Sequence, residues 1–122
     1  MIRDFTYIDD IIESLYRLVN KPATSCNEFN PKSPNPSISF APHRVFNIGN
    51  SKPIPLMDYI RAIEKVLGIN AKKCFLPMQP GDVPATAADI KALEDWIGFR
   101  PSTSVDDGIY NFVSWFRGFY KV

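Results

Sequence analysis

Two structural patterns meet in the stretch Arg3-Asp4-Phe5-Thr6-Tyr7-Ile8-Asp9-Asp10. Its first part is rich in β-branched and aromatic residues, which favours a short strand beginning at Ile2. The two aspartates at its end place negative charge where a helix N-terminus is stabilised by it. Apolar residues then recur at helical spacing, so residues 9–20 are predicted to form an amphipathic helix. The start of the chain thus predicts a strand followed directly by a helix.

Two more short strands are predicted further along the chain. Residues 44–48 (Arg-Val-Phe-Asn-Ile) and residues 74–76 (Cys-Phe-Leu) are short, rich in β-forming residues and bounded by Gly or Pro. Between the first helix and residue 44 lies a segment with five prolines and many Ser and Asn, which predicts a long loop over residues 21–42. The chain has 122 residues, so residues 1–122 are expected to form one domain that contains this proline-rich loop.

Three further helices are predicted in the second half of the chain. Apolar spacing places one over residues 56–67, with Gly68 as its C-cap. A short helix is expected to begin at Asp89 as N-cap and to end at Gly98. The last helix is expected to begin at Thr103 or Ser104 and to bury one apolar stripe, made of Val105, Ile109, Phe112, Val113 and Phe116. Tyr7, Tyr59 and Trp115 are also expected in the core. The sequence therefore predicts a mixed α/β fragment of about four helices and three short strands.

Composition excludes several classes of function. Fourteen Lys and Arg oppose thirteen Asp and Glu, and the basic residues are scattered, so neither nucleic acid nor an anionic membrane is an expected partner. No apolar stretch approaches the roughly 20 residues that span a bilayer. Cys26, Cys74 and His43 lie in no cluster with zinc-ligand spacing, so no metal site is expected. Two unclustered cysteines and no signal peptide favour a reduced, cytoplasmic setting.

The motifs of a complete oxidoreductase site are missing from the sequence. No glycine-rich turn connects a strand to a helix, so no dinucleotide-binding site is predicted. No Ser/His/Asp or Cys/His set can be built around His43 alone. No tyrosine is followed by lysine four positions later. The sequence therefore predicts no catalytic residue in this chain.

Three segments, in this order and spacing, carry a resemblance to a known family. They are Arg3-Asp4-Phe5-Thr6-Tyr7-Ile8-Asp9-Asp10, Val45-Phe46-Asn47-Ile48-Gly49-Asn50-Ser51 and Pro77-Met78-Gln79-Pro80-Gly81-Asp82-Val83-Pro84. Together they resemble the C-terminal, substrate-binding part of the extended short-chain dehydrogenases/reductases, and most closely the UDP-glucuronate 4-epimerases of that family. The resemblance implies a parent with an N-terminal Rossmann domain that binds NAD and carries a Tyr-x-x-x-Lys pair, both of which this chain lacks. NAD would then be the cofactor of the parent, and this chain would bind none.

The resemblance also implies roles for residues of this chain. Arg3 would contact the diphosphate of a UDP-sugar, because a permanently charged guanidinium suits phosphate oxygens. Asp82 would accept hydrogen bonds from the ribose hydroxyls, and Gly81 would let the backbone approach the nucleotide. Gln79 stands where some relatives carry an arginine for phosphate. Simpler alternatives are an ion pair of Arg3 with Asp4 and ordinary turn roles for Gly81 and Asp82.

Asn47 and Asn50 flank the end of a predicted strand. A contact with substrate is one interpretation of this position, and a role in forming the turn is the preferred one. Asp9 and Asp10 resemble a carboxylate pair, although adjacent helical positions point in different directions, so helix capping is the preferred interpretation. His43 receives no role.

Three functions stay open on the sequence alone. The parent would be a UDP-glucuronate 4-epimerase, and the isolated chain would be inactive. The second candidate is the same part of a related nucleotide-sugar enzyme, such as a 4,6-dehydratase, a decarboxylase or a galactose epimerase. The third is a non-catalytic interaction module that uses the proline-rich loop. Apolar surface that would pack on the Rossmann domain is expected to cause self-association into a homo-oligomer.

Overall fold

The computed structural model describes residues 1–122 and contains four helices and one two-stranded sheet. In chain order the elements are β1 (Ile2–Arg3), α1 (Ile8–Asn20), β2 (Ile54–Pro55), α2 (Leu56–Leu67), α3 (Lys91–Ile97) and α4 (Val105–Tyr120). Strands β1 and β2 are antiparallel, with Ile2 opposite Pro55 and Arg3 opposite Ile54. The mixed α/β class with four helices is as predicted.

The helix ends follow local sequence signals. Gly68 and Gly98 adopt left-handed φ angles of 70° and 61° directly after α2 and α3, as C-cap glycines do. The Ser104 side chain accepts a hydrogen bond from the Asp107 backbone N–H, so it is the N-cap of α4. The start of α3 differs from the prediction, because Ile90 is the N-cap residue. Asp89 instead accepts from the Lys91 backbone N–H at 3.0 Å, one residue before the cap.

Two of the three predicted strands are wrong. In residues 44–48 only Arg44 pairs with another segment, through a single antiparallel bridge to Ile38. Residues 74–76 form no ladder, and the side chains of Phe75 and Leu76 are 77% and 75% exposed. Both segments have β-forming residues, but a strand also needs a neighbour with free backbone groups, which the chain does not supply here.

The proline-rich segment of residues 21–42 contains neither a helix nor a strand and closes on itself. The Cys26 backbone N–H donates to the Ser39 carbonyl at 2.9 Å, and the thiol of Cys26 is buried and free. The rings of Phe29 and Phe40 lie 5.8 Å apart within the same loop. These contacts make the loop a local unit beside the helices.

The core is small, since only 12 of the 122 residues are buried. Its centre is the contact between α2 and α4, where Ala62, Ile109 and Val113 are buried together. Leu93 of α3 is also buried, away from this centre, and has no exposed surface. The most extensive contact between elements is therefore that of α2 with α4, and α3 packs beside α1.

Helix α1 presents its polar side to the chain, contrary to the usual arrangement. Asp10 and Ser14 are buried, whereas an apolar stripe along the opposite side is exposed. We call this the α1 stripe, and it consists of Ile8, Ile12, Leu15, Tyr16 and Val19. The capping role predicted for Asp10 is wrong, because its Oδ2 accepts from the backbone N–H groups of Ser102 and Thr103 at 3.1 and 2.9 Å.

Helix α4 also keeps an apolar side exposed, which corrects the predicted core. The buried side of α4 faces α2 and Tyr7 and contains Gly108, Ile109 and Val113. The aromatic residues of the helix lie outside this buried side. We call the exposed set the α4 aromatic stripe, and it consists of Phe112, Trp115, Phe116, Phe119 and Tyr120. These rings contact each other along the helix, because residues four apart lie on the same side of a helix. Tyr7 and Tyr59 are half-buried, and Tyr59 stacks on Phe5.

Candidate functional site

A tight turn carries three of the four residues predicted to contact a ligand. The Asp82 backbone N–H donates to the Gln79 carbonyl at 3.1 Å, which closes a four-residue turn with Pro80 and Gly81 in the middle. Gly81 has φ of 94°, the conformation that the third residue of a type II turn requires. A Cβ added at Gly81 would meet no atom within 4 Å. The glycine is therefore required by backbone conformation, and the space above the turn is open.

The segment after this turn pairs with β1. The Ile2 backbone N–H donates to the Pro84 carbonyl at 2.9 Å, and the Thr86 N–H donates to the Ile2 carbonyl at 3.2 Å. Ile2 is thereby bridged in parallel to Ala85. Asp82 lies three residues before Ala85, so at most about 11 Å of chain separates them. Adjacent strands lie about 5 Å apart, so the turn and Arg3 lie on neighbouring segments.

Arg3 is not engaged in an ion pair. Its Nη1 donates to the carbonyl of the preceding residue Ile2 at 2.8 Å, and no carboxylate lies within ion-pair distance of it. The alternative in which Arg3 pairs with Asp4 is therefore wrong. The guanidinium keeps donors for a ligand, and a planar cation with free donors is suited to phosphate oxygens.

The Asp4 carboxylate has a structural role that the sequence analysis did not identify. Its Oδ2 accepts from the backbone N–H groups of Ser51 and Ala88 at 3.0 and 3.2 Å, and its Oδ1 accepts from Lys52 N–H at 3.2 Å. The carboxylate thus joins β1 to two distant segments. The only local signal was an acidic residue inside a strand-forming stretch, which does not reveal its partners.

Gln79 and Asp82 lie in an exposed part of the chain. Neither side chain makes a hydrogen bond within the chain, so both keep their full capacity for a ligand. A carboxylate such as Asp82 accepts hydrogen bonds from paired hydroxyls, and the Gln79 amide can donate or accept. The turn thus offers one anion and one amide, and Arg3 offers one cation on the strand that is hydrogen-bonded to the segment after the turn.

The remaining candidates have structural partners. Asn47 donates through Nδ2 to the Asp89 carbonyl at 3.3 Å. Asn50 is 2% exposed, and its Nδ2 donates to the Thr103 carbonyl at 3.0 Å. The ring of His43 lies on the surface, 3.3 Å from the Pro36 carbonyl. The two asparagine side chains therefore join segments that are distant in sequence, which is a tertiary role and differs from the local turn role predicted for them.

The residues of this chain do not fit a dinucleotide cofactor. The sheet is one antiparallel pair of two-residue strands, so there is no parallel strand–turn–helix unit to hold a pyrophosphate. Gly49 is enclosed, because a Cβ there would lie 2.4 Å from the Ala88 Cβ. No group of three His, Cys, Asp or Glu side chains is placed to hold a metal ion. None of the four helices combines the length and the apolar character needed to cross a bilayer.

Comparison with known proteins finds relatives that are much longer than this chain. A protein of unknown function from Escherichia coli O111:H- is 56% identical over the whole chain, which covers 36% of that relative. A probable UDP-glucuronate 4-epimerase from Rhizobium meliloti is 43% identical over 99% of the chain and 36% of the relative. The chain thus spans about a third of the length of the relatives it matches. No family model matches the chain.

A solved structure supports the same relationship. A variant of the UDP-glucuronic acid 4-epimerase from Bacillus cereus, in complex with UDP-4-deoxy-4-fluoro-glucuronic acid and NAD, is 29% identical. It superposes with a TM-score of 0.72 over 98% of this chain and 33% of its own. In sequence and in fold the chain is therefore similar to a C-terminal part of the extended short-chain dehydrogenases/reductases of the UDP-glucuronate 4-epimerase type.

Proposed function

We propose that this chain is the UDP-sugar-binding part of a nucleotide-sugar epimerase, with UDP-glucuronate as the substrate of the parent protein. Arg3 contacts the diphosphate, Asp82 accepts from the ribose hydroxyls, and the Gly81 backbone lies against the nucleotide. Gln79 adds an uncharged hydrogen bond near the phosphates. The observation that carries the proposal is an unpaired arginine on β1, which is hydrogen-bonded through Ile2 to the residues that follow an exposed turn.

The charges of the site suit a nucleoside diphosphate. The guanidinium of Arg3 offers permanent positive charge, and charge-assisted hydrogen bonds to phosphate are stronger than neutral ones. The Asp82 carboxylate lies on the neighbouring segment, where it can bind hydroxyls while staying apart from the phosphates. One end of the site therefore binds an anion and the other binds a diol, which is the chemistry of a ribose diphosphate.

The chemical step belongs to residues outside this chain. Because the chain has neither a dinucleotide cradle nor a Tyr-x-x-x-Lys pair, NAD is proposed as a cofactor of the parent and is not bound here. The α1 stripe is proposed as the surface that docks on the Rossmann domain, since its polar side already faces this chain. A cytoplasmic location and a homo-oligomeric state of the isolated chain complete the proposal.

The two alternatives predict different ligands. Another nucleotide-sugar enzyme of the family would use the same UDP contacts and differ in residues that hold the sugar. A protein-interaction module would show no affinity for UDP. The exposed α4 aromatic stripe is the observation that favours the module, because large exposed apolar surface marks interaction sites.

Calorimetric titration with UDP and with uridine tests the proposal. The wild-type chain is expected to bind UDP more tightly than uridine, because only UDP meets the guanidinium. Arg3→Ala is expected to weaken UDP binding about tenfold or more and to leave uridine unchanged. Asp82→Ala is expected to weaken both ligands by about fivefold, because the ribose is common to them.

Lys72→Ala is the matched control for charge, since Lys72 is an exposed cation without an ion pair on another part of the surface. It is expected to leave both affinities unchanged. Equal losses in Arg3→Ala and Lys72→Ala would show a general charge effect and contradict the assigned site. Incubation of the chain with NAD and UDP-glucuronate is expected to yield no UDP-galacturonate, and its formation would refute the division of roles.

A further inference from the structure

Asp4 occupies the junction that fixes the ligand-binding turn. The turn at residues 79–82 has no tertiary hydrogen bond of its own, so its position depends on the segment that follows it. That segment is held by the pairing of Ile2 with residues 84–86 and then by the Asp4 carboxylate at Ala88 N–H. Asp4, which follows Arg3 in sequence, therefore helps to hold the segment that carries the 79–82 turn.

Neighbouring contacts reinforce this junction. The Ser51 hydroxyl donates to the Ala88 carbonyl at 2.7 Å, while the Ser51 backbone N–H donates to Asp4. Gly49 lies so close to Ala88 and Asp4 that an added Cβ would be 2.4 Å from one and 3.0 Å from the carboxylate Oδ2 of the other. Only glycine permits this approach, so three segments meet at Asp4 at close range.

We propose that Asp4 is a positioning residue, which sets the distance between the Arg3 guanidinium and the 79–82 turn. The inference rests on the proposed function, because it concerns the binding of the same nucleotide. Asp4 does not touch the ligand. It accepts from the backbone N–H of Ala88, in the segment that follows the turn, and from the N–H groups of Ser51 and Lys52, so it adds a charged acceptor to the contacts that hold residues 86–88 beside β1.

The sign of the effect separates positioning from simple charge. Asp4 is an anion close to the segment that carries the phosphate-binding arginine, so loss of its charge alone would strengthen binding of the anionic ligand UDP. Loss of positioning weakens UDP binding instead, because Arg3 and Asp82 no longer reach one nucleotide together. Asp4→Asn keeps the size of the side chain and removes the charge and part of the acceptor capacity, so it tests both effects at once.

The experiment measures UDP affinity by calorimetry and the free energy of unfolding by urea for Asp4→Asn and for Asp10→Asn. Asp10 is the matched control, since it is a second carboxylate that accepts two backbone N–H groups but holds residues 102–103, away from the turn. Both variants are expected to lower stability. Only Asp4→Asn is expected to weaken UDP binding, by about tenfold, which corresponds to 1.4 kcal/mol.

Gly49→Ala provides a second test that leaves the carboxylate in place. It is expected to weaken UDP binding as well, because the new Cβ pushes Ala88 away from Asp4, and it decides the question if Asp4→Asn does not fold. Unchanged or tighter UDP binding in the folded variant, or an equal loss in Asp10→Asn, overturns the positioning role while the proposed function stands. A wild-type chain that does not bind UDP refutes the proposed function, and this inference with it.

Discussion

Asp4 and Asp10 show how single carboxylates connect distant parts of this chain. Each accepts backbone N–H groups from segments far away in sequence, with separations of 47, 84 and 92 residues. Local sequence patterns cannot reveal such partners. The signals at Gly68, Gly98 and Ser104 involve only a few residues on either side; both glycines were predicted, and Ser104 was one of the two residues predicted to begin the last helix.

Asp10→Asn is expected to lower the free energy of unfolding by about 1–3 kcal/mol, because the N–H groups of Ser102 and Thr103 lose a charged acceptor in a partly buried place. Urea unfolding measures the change. Asp9→Asn is the control, since Asp9 is the exposed neighbour, and it is expected to stay within about 0.5 kcal/mol of the wild type. Equal effects of the two substitutions would contradict the buried role of Asp10.

Among the elements, helices were predicted well and strands poorly. The apolar spacing of α2 and α4 is a property of the segment itself, so the sequence contains it. A strand at residues 44–48 requires hydrogen bonds from a second segment, and the chain offers only one bridge, at Arg44. The orientation of α1 could not be predicted either. The spacing of apolar residues shows that a helix has an apolar side, but it does not show which side the rest of the chain covers.

The segment after α2 is anchored by one carboxylate. Glu64 accepts hydrogen bonds from the Lys73 ammonium and from the Ala71 backbone N–H, at 2.7 Å for the latter. The hydrogen bond from Lys73, followed by that from Ala71, lowers the pKa of Glu64 below its ordinary value of 4.5. A lowered pKa means that the stabilisation is present above pH 4.5 and is lost as the pH falls through the folded-state value.

Acidification is therefore expected to free residues 69–73 from α2 while the helix itself persists. Amide hydrogen exchange at Ala71 should accelerate relative to α2 once the pH falls below the folded-state pKa of Glu64. Glu64→Gln is expected to abolish this pH dependence, whereas Glu13→Gln, which removes a carboxylate of α1 that is paired with Arg17, is expected to retain it. An Ala71 amide with the same protection at acid and neutral pH would rule out the anchor.

On the scale of the whole molecule, two apolar surfaces have no cover within the chain. The α1 stripe and the α4 aromatic stripe together expose ten large apolar residues, while the buried core is small. Large exposed apolar surface drives association in water. Self-association of the isolated chain is therefore expected, and light scattering at increasing concentration measures it.

The double variant Val19→Lys with Phe119→Lys places one charge on each stripe at highly exposed positions. It is expected to shift the chain towards the monomer and to change the free energy of unfolding by no more than about 0.5 kcal/mol per site. Leu93→Ala, in contrast, is expected to cost about 2–5 kcal/mol, because Leu93 is fully buried. A wild-type chain that scatters as a clean monomer at high concentration would contradict the expected self-association through the two stripes.

The central claim is that Arg3 and the 79–82 turn bind one UDP together. Amide chemical shifts of the isotope-labelled chain, recorded during titration with UDP, test it at every residue. The account predicts saturable shifts concentrated at Arg3, Gly81 and Asp82, and their loss in Arg3→Ala. Shifts that cluster elsewhere, for example along α1, or a spectrum that UDP leaves unchanged, would contradict it.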